Sequence, residues 1–245
     1  MPSPSLGDMI SANRLRKSFG PTVVLEDLSF DVAAGQCMAL LGANGSGKTT
    51  LLRILATVLR PSGGTLSLNG VDAVKRPEAA RAIVGVVGHG SWVYEGLTAL
   101  ENLRFWTAMR GGSASPARLQ AALQQLDLDA VSHDRARTFS AGMKRRLALA
   151  RVALSDARIL LLDEPFTGLD RQGRKWLGEF LYQFKAGGGT VVLATHSFSG
   201  DLDVADRIAI LYGGRFALDR PAAELSWDEL HRLYDDITDS GGDAR

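Results

Sequence analysis

Cysteine is almost absent from this sequence, and so are the long apolar runs of membrane-spanning chains. The 245 residues include a single cysteine, Cys37, which excludes a disulfide scaffold and favours a reducing compartment. Apolar runs such as 159–162 and 191–194 are far shorter than the roughly 20 residues of a spanning helix. We therefore expect a chain that is soluble by itself, with any membrane-spanning part supplied by another protein.

An excess of charge of one sign is missing as well. The 28 lysines and arginines nearly balance the 27 aspartates and glutamates, so the formal net charge is +1 and the electrostatic footprint of nucleic-acid binding is absent. Residues 1–8 lack the cationic and apolar regions of a secretory signal, and we expect a flexible leader there. The length suits one large α/β domain, or a core domain with a smaller subdomain.

A glycine-rich segment at 42–49 fits the phosphate-loop pattern Gly-x-x-x-x-Gly-Lys-Ser/Thr. Before it, Cys37–Leu41 is an apolar run that predicts a buried parallel strand, and after it apolar residues recur at helical spacing as far as Leu59. Glycines let successive N–H groups point at phosphate oxygens, and the helix N-terminus adds positive potential. An ordinary glycine-rich turn would need neither the lysine nor the hydroxyl that follows it.

This loop predicts a site for a nucleotide and Mg²⁺. Lys48 would contact the β- and γ-phosphates, and the Thr49 hydroxyl would ligate the metal. The nucleotide-binding residues predicted from the loop are Gly42, Ala43, Asn44, Gly45, Ser46, Gly47, Lys48, Thr49 and Thr50.

Three further polar side chains stand where predicted buried strands end. Asp163 and Glu164 follow Ile159–Leu162, and His196 follows Thr190–Thr195, at the edge where doubly wound sheets bind ligands. Adjacent buried acids are costly without partners, which Mg²⁺ on Asp163 and a water activated by Glu164 would provide. The alternatives are a helix N-cap for one acid and a structural role for the histidine.

Other patterns place the remaining elements. We predict two β segments at Arg14–Gly20 and Val23–Val32, with Phe19 either in the core or free to stack on a base. Residues 91–154 are mostly helical in pattern, and 207–218 predict a hairpin. Ser115, which precedes Pro116, and Asp170 are candidate helix caps. Trp227–Tyr234 predicts an amphipathic helix, and we expect 235–245 to be disordered.

Together these motifs resemble those of ABC-type ATPases, the nucleotide-binding subunits of ATP-binding-cassette transporters, over about Asn13 to Leu218. Segments 42–49 and 159–164 are similar to the Walker A and Walker B motifs, 139–143 to the family signature, and 168–170 to the D-loop. The resemblance implies a phosphate-loop NTPase core of α/β class with a mixed sheet, antiparallel β segments at its N-terminal side and an inserted helical subdomain. The core would span about 10–90 and 155–218, the helical subdomain about 91–154, and a C-terminal tail 219–245.

The family implies partners and roles that the spacing alone does not. ATP and Mg²⁺ would be sandwiched in a head-to-tail dimer with a second ABC ATPase subunit, in the simplest case a homodimer. The dimer would bind transmembrane permease subunits at the cytoplasmic face of the cell membrane, and no nucleic acid. Glu164 would be the general base beside His196. Residues added to the nucleotide site by the resemblance are Phe19, His89, Ser140, Ala141, Gly142 and Asp170.

The sequence departs from the family pattern in two places. His89 stands where the Mg²⁺-sensing glutamine is usual, and Phe139, Ala141 and Met143 alter the usual Leu-Ser-Gly-Gly-Gln signature. We expect a somewhat weaker ATP sandwich but retained activity, because the Ser140 hydroxyl is kept.

Within the family, segments 87–90 and 97–105 are most similar to the ATPase of the haem exporter of cytochrome c maturation. The ATPases of drug, lipid or polysaccharide exporters share many of these sequence motifs, and such an exporter remains an alternative. A soluble cassette acting on ribosomes or DNA, and a nucleotide sensor without hydrolysis, are further alternatives. We also expect Trp92 and Tyr94 either to border the groove that receives a helix of the membrane partner or to fill the subdomain core.

Overall fold

The computed structural model describes residues 7–88, 93–109, 111–196 and 202–239. Short 3₁₀ helices lie at Ala136–Thr138 and Ala222–Glu224. The strands of the described residues are β1 (Asp8–Phe19), β2 (Thr22–Ala33), β3 (Cys37–Leu41), β4 (Gly63–Leu68), β5 (Val71–Asp72), β6 (Val84–Val87), β7 (Ile159–Asp163), β8 (Thr190–Ala194), β9 (Arg207–Tyr212) and β10 (Arg215–Pro221). The α-helices are α1 (Lys48–Leu55), α2 (Pro77–Arg81), α3 (Ala99–Met109), α4 (Pro116–Gln124), α5 (Ala141–Ala153), α6 (Arg171–Ala186) and α7 (Trp227–Asp239).

These strands form two sheets. The first is antiparallel in the order β2-β1-β4-β5, and the second has the order β10-β9-β3-β8-β7-β6. In the second sheet all pairs are parallel except the β9–β10 hairpin. The predicted α/β fold with a mixed sheet and antiparallel N-terminal strands is confirmed.

The order of the second sheet brings distant segments of the chain together. Strand β8 pairs with β3 on one side and with β7 on the other, so that Ala194 lies opposite both Leu40 and Asp163. Because the three strands are parallel, their carboxyl ends meet at one edge of the sheet. The phosphate-loop segment, the two acids and His196 all follow these ends.

Among the described residues, three apolar clusters hold the layers together. The first lies between the two sheets and includes the buried face of α1. The second covers the opposite face of the mixed sheet with α3, α4, α5 and α6. The third joins β3 and β9 to α7 through Leu41, Ile210 and Leu230. Burial of the α1 face on both sheets fixes the loop that precedes this helix.

The structure corrects two predicted helix ends. Helix α1 ends at Leu55 rather than near Leu59, since Thr57 has a φ of 57° and Val58 is 72% exposed. Helix α7 continues to Asp239, so the disorder predicted for 235–239 is wrong. Ile237 lies seven residues after Leu230, on the same helix face, and packs against the third cluster.

The predicted helical stretch 91–154 contains α3, α4 and α5 within its described residues. Ser115 caps α4 by accepting a hydrogen bond from the Arg118 N–H, as its position before a proline indicates. The division into core, subdomain and tail stays a prediction. Among the residues that the structure covers, none of the helices is long and apolar enough to cross a membrane.

Candidate functional site

The loop between β3 and α1 has the backbone that its glycines permit. Gly42, Gly45 and Gly47 have φ values of 150°, 82° and 109°, in a region that side chains with a Cβ rarely adopt. A Cβ on Gly42 would lie 2.4 Å from the Leu211 carbonyl oxygen. The N-cap of α1 is Gly47, which has no side chain to accept the first helical N–H groups. These donors are therefore available to an anion.

Lys48 is held inside this loop. Its ammonium donates to the carbonyl oxygens of Gly42 at 2.6 Å and Ala43 at 3.1 Å, and the side chain is buried. Burial lowers the pKa of Lys48, while Glu164 and Asp163 act in the opposite direction. The Ser46 hydroxyl oxygen is buried and has no hydrogen-bond partner among the described residues. A phosphate oxygen would satisfy both the ammonium and this hydroxyl, so the loop fits the nucleotide predicted for it.

Thr49 and Asp163 face each other across the end of the sheet. The Thr49 hydroxyl donates to Asp163 Oδ2 at 3.1 Å. Described residues contain no group of three or more His, Cys, Asp or Glu able to hold a metal by themselves. A hydroxyl and a carboxylate are hard oxygen ligands that suit Mg²⁺, which commonly takes its other ligands from phosphates and water. The donor set therefore fits the predicted metal.

Glu164 has a left-handed backbone, with a φ of 51°. Its Oε1 lies 2.7 Å from His196 Nδ1, and its Oε2 accepts a 3.3 Å hydrogen bond from the Thr195 hydroxyl. The Glu164 side chain is 12% exposed and that of His196 is 62% exposed. The cap of α6 comes instead from Asp170, whose Oδ1 accepts from the Gly173 N–H at 2.7 Å. The N-cap alternative for the two acids is wrong, and the capping role predicted for Asp170 is confirmed.

The signature segment, residues 139–143, opens α5. The Ser140 side chain caps this helix by accepting from the Met143 N–H at 3.2 Å, and Ser140 and Ala141 are exposed. A Cβ on Gly142 would lie 3.5 Å from the Gly168 carbonyl oxygen, so the start of α5 abuts the loop before α6. The exposed end of this helix is open to a second molecule.

Two aromatic predictions are decided by exposure. Phe19 is 50% exposed, with the Lys17 ammonium 4.8 Å from its ring centroid, so a place in the core is wrong for this ring. Tyr94 is 43% exposed and packs edge-on against Phe105 at 4.6 Å between centroids, so it does not fill the core either. His89 and Trp92 lie outside the described residues.

A groove of about 440 Å³ lies between α2 and the far ends of α3 and α5. Trp106 contacts both Tyr94 and the Arg151 guanidinium, the latter 4.3 Å from its ring centroid. The groove is lined by Glu78, Arg81, Trp106, Met109, Arg118 and Arg151, among others.

Sequence reasoning missed one residue at the site. Arg145 belongs to a cationic run that is typical of a solvated face, yet it is 8% exposed and points beneath the two acids. The available signal was helical spacing, because Leu149 and Val152 lie four and seven residues further along and are buried. A basic residue on the apolar face of a helix predicts a specific buried partner.

The comparisons with known proteins agree with this geometry. A family model described as ABC transporter matches residues 25–167. Nod factor export ATP-binding protein I of Cupriavidus pinatubonensis is 37% identical over 217 residues, which is 88% of this chain and 67% of that protein. The daunorubicin resistance ATP-binding protein of Streptomyces coeruleorubidus is 35% identical, over 88% of this chain and 69% of its own length.

Solved structures give the same fold. The structure of an ATP-binding subunit of an ABC transporter has a TM-score of 0.85 and 29% identity, covering 94% of this chain and 99% of that one. A dimeric ATP-binding cassette in a post-hydrolysis state with ADP and Pi has a TM-score of 0.78, covering 87% and 98%. The second is 23% identical and supports the fold alone.

Proposed function

The chain belongs to the ABC transporter family and is an ABC-type ATPase, and from this premise we propose that it drives an exporter from the cytoplasmic face of the cell membrane. The observation that carries the hydrolytic role is the Glu164–His196 pair at 2.7 Å. It lies one residue from the predicted Mg²⁺ ligand Asp163, at the strand edge that holds the phosphate loop.

Export is the direction that the relatives favour. The two relatives described above are named for Nod factor export and for daunorubicin resistance, which supports the broader alternative of an exporter of drugs, lipids or polysaccharides. The haem exporter predicted from segments 87–90 and 97–105 gains no support from these names and stays a prediction.

Each residue of the site has a separate task in the proposed reaction. The loop N–H groups and Lys48 bind and orient the phosphates, and Thr49 and Asp163 hold Mg²⁺. Mg²⁺ held there would neutralise part of the phosphate charge. Glu164 accepts a proton from the attacking water, and His196 orients that water and the γ-phosphate. Thr195 fixes the second carboxylate oxygen of the base, which limits the side chain to one orientation.

The exposed start of α5 implies a second copy of the chain. Ser140, Ala141 and the backbone N–H of Gly142 would approach the γ-phosphate held by the partner's loop. Phe19, half exposed at the end of β1, would stack on the adenine. Asp170 would act from the adjoining D-loop. Because two chains complete each site, hydrolysis should require dimerisation.

The membrane partner would bind at the groove between α2 and α3. Trp106 lines this groove, and the exposed rings of Tyr94 and Phe105 pack against Trp106 and extend the apolar surface beside it. Tyr94→Ser should lower transport while basal ATPase activity stays within about twofold of wild type. Tyr182→Ser, at a 70% exposed tyrosine on α6, is the matched control. Equal transport in the two variants would contradict this binding surface.

The test of hydrolysis is Glu164→Gln. This change keeps the shape of the side chain and removes the proton acceptor, so turnover should fall by about 10²–10⁴-fold while ATP binding persists and traps a dimer. Glu179→Gln, at an exposed glutamate on α6 paired with Lys175, should leave turnover unchanged. Near-normal turnover of Glu164→Gln would exclude Glu164 as the base.

The transported molecule is tested in cells whose only copy carries Lys48→Ala. If covalent c-type cytochromes disappear while their apoproteins persist, the exporter serves cytochrome maturation. If cytochromes are normal, haem export is excluded. Sensitivity to exported drugs and the content of surface lipids and polysaccharides then become the measurements.

A further inference from the structure

Arg145 is a buried cation whose partners are backbone carbonyls rather than a carboxylate. Its guanidinium donates from Nη2 to the carbonyl oxygens of Glu164 at 2.7 Å and Asp163 at 3.0 Å. Nη1 donates to the Gly88 carbonyl oxygen at 2.7 Å, and Nε approaches that of Pro165 at 3.4 Å. One side chain of α5 therefore binds the chain at the carboxyl end of β7 and just beyond the carboxyl ends of both β6 and β7.

The location of these carbonyls explains why an arginine is needed. Strands β6 and β7 are parallel neighbours whose ladder ends with Val87 opposite Leu162, so Gly88, Asp163 and Glu164 lie beyond it. Carbonyl groups beyond this ladder have no partner on the other strand of the β6–β7 pair and would be costly if left buried and unpaired. The planar guanidinium has five N–H donors in a fixed arrangement, which lets it serve several carbonyls at once.

Retaining a charge in this place has a cost that simple packing does not require. Burial lowers the pKa of Arg145, and the nearby Asp163 and Glu164 charges act in the opposite direction. An apolar side chain of similar volume would avoid this loss of hydration, but it would leave the carbonyl groups without a donor. The cost points to a task that depends on the position of the bound carbonyls.

That task concerns the peptide groups around Glu164. This residue has a φ of 51° and precedes Pro165, a strained combination that persists only when neighbouring contacts hold it. Its N–H donates to the Ala194 carbonyl oxygen at 2.9 Å, and its own carbonyl accepts from Arg145. The backbone is thus fixed on both sides, which directs the carboxylate toward His196.

We propose that Arg145 is a positioning residue for Glu164, and this inference rests on the role of general base proposed above. The guanidinium fixes the backbone from which the base projects and connects it rigidly to the helix that begins with the signature segment. Arg145 does not touch the phosphates or the attacking water. Its loss should therefore reduce the rate of hydrolysis and spare nucleotide binding.

The experiment compares Arg145→Lys and Arg145→Met with Arg146→Met. Arg146 is the adjacent arginine of α5, and it donates instead to the Leu126 carbonyl oxygen at 3.3 Å and pairs with Asp127 at 3.9 Å. Measurements are kcat and KM for ATP, the dissociation constant of a fluorescent ATP analogue, and the melting temperature. Arg145→Lys covers the case in which Arg145→Met does not fold, because an ammonium can still bind part of the carbonyl set.

We expect Arg145→Met to lower kcat by about 10–100-fold, since a base displaced by about 1 Å loses this much. The dissociation constant should stay within about threefold of wild type, and Arg145→Lys should recover part of kcat. Arg146→Met should keep the kcat of wild type. A normal kcat in the folded Arg145 variants would overturn the proposal. So would a fall in kcat that is proportional to the fall in melting temperature, with the same proportion in all three variants.

A double variant separates this proposal from the assignment of the base. If Arg145 acts through Glu164, adding Arg145→Met to Glu164→Gln should cause less than about a twofold further loss of single-turnover rate. A further loss of tenfold or more would show an independent role and refute the proposal. Near-normal turnover of Glu164→Gln alone would refute both the role of Glu164 as the base and the role of Arg145. Normal turnover of Arg145→Met together with an inactive Glu164→Gln would refute only the role of Arg145.

Discussion

The phosphate loop allows a paired test of backbone geometry, in which Gly42→Ala is compared with Gly45→Ala. Both glycines have positive φ, 150° and 82°, so an added Cβ costs about 1–2 kcal/mol of backbone strain at either position. They differ in their surroundings. A Cβ on Gly45 meets nothing within 4 Å, whereas one on Gly42 lies 2.4 Å from the Leu211 carbonyl oxygen and 2.7 Å from Ser46 Oγ.

The contact at Gly42 cannot be relieved by a side-chain rotation. Leu211 belongs to β9, which is hydrogen-bonded within the sheet between β3 and β10, so the loop itself must move by roughly 1 Å. Such overpacking costs about a further 1–3 kcal/mol. We therefore expect a loss of about 1 kcal/mol for Gly45→Ala and about 3 kcal/mol for Gly42→Ala. Those values correspond to falls in melting temperature of about 2–4 °C and 6–12 °C for a domain of this size.

Scanning calorimetry without nucleotide measures both shifts. Because Lys48 donates to the Gly42 carbonyl oxygen, a displaced loop should also weaken ATP-analogue binding in Gly42→Ala, by at least about tenfold. Equal melting temperatures for the two variants, or a larger fall for Gly45→Ala, would refute the argument from the Leu211 contact.

Three further predictions concern single residues. Phe19→Ala should weaken ATP binding by roughly fivefold, which corresponds to about 1 kcal/mol of stacking. Its melting temperature should not change, because the ring is half exposed. A titration with a fluorescent nucleotide measures the effect, and Tyr182→Ala should bind as wild type does. Burial raises the pKa of Cys37 from 9.0 to about 12, so at pH 8 the thiol should resist alkylation until the protein unfolds. Stability should fall as the pH rises above about 9, because the thiol of the unfolded chain then ionises more readily than the buried one. Rapid labelling of the folded protein would contradict this prediction. Ser115→Ala should remove the α4 cap at a cost of about 1 kcal/mol, seen as a fall of about 2–4 °C in melting temperature with normal ATPase activity.

Local patterns predicted much of the site because its chemistry lies in short segments. The strand Cys37–Leu41, the loop after it and the caps Ser115 and Asp170 depend on neighbours within a few residues, and each was predicted. Helix ends were less predictable. Helix α1 stops at Leu55 because Thr57 adopts a left-handed conformation, and apolar spacing contains no information about that turn.

The sequence did not predict how exposed the aromatic side chains are. For Phe19 and Tyr94 the sequence left a place in the core open as one of two alternatives, and both side chains are more than two-fifths exposed. Whether a ring is buried depends on which elements pack over it, and the pairing of β1 with β2 and β4 leaves Phe19 at a strand end. Arg145 is the opposite case: its place in a cationic run favours an exposed side chain, but the packing of α5 buries it.

The sequence by itself determined which chemical groups the site of this protein contains: a phosphate loop, two acids after one buried strand and a histidine after another. It also determined the resemblance to ABC-type ATPases. Only the tertiary structure decided how these parts meet. The sheet order places β8 between β3 and β7, which brings His196 within 2.7 Å of Glu164 and a guanidinium from α5 against the backbone of that acid. Contacts between residues far apart in the chain arise from packing and strand pairing, and local residue patterns do not encode their distances.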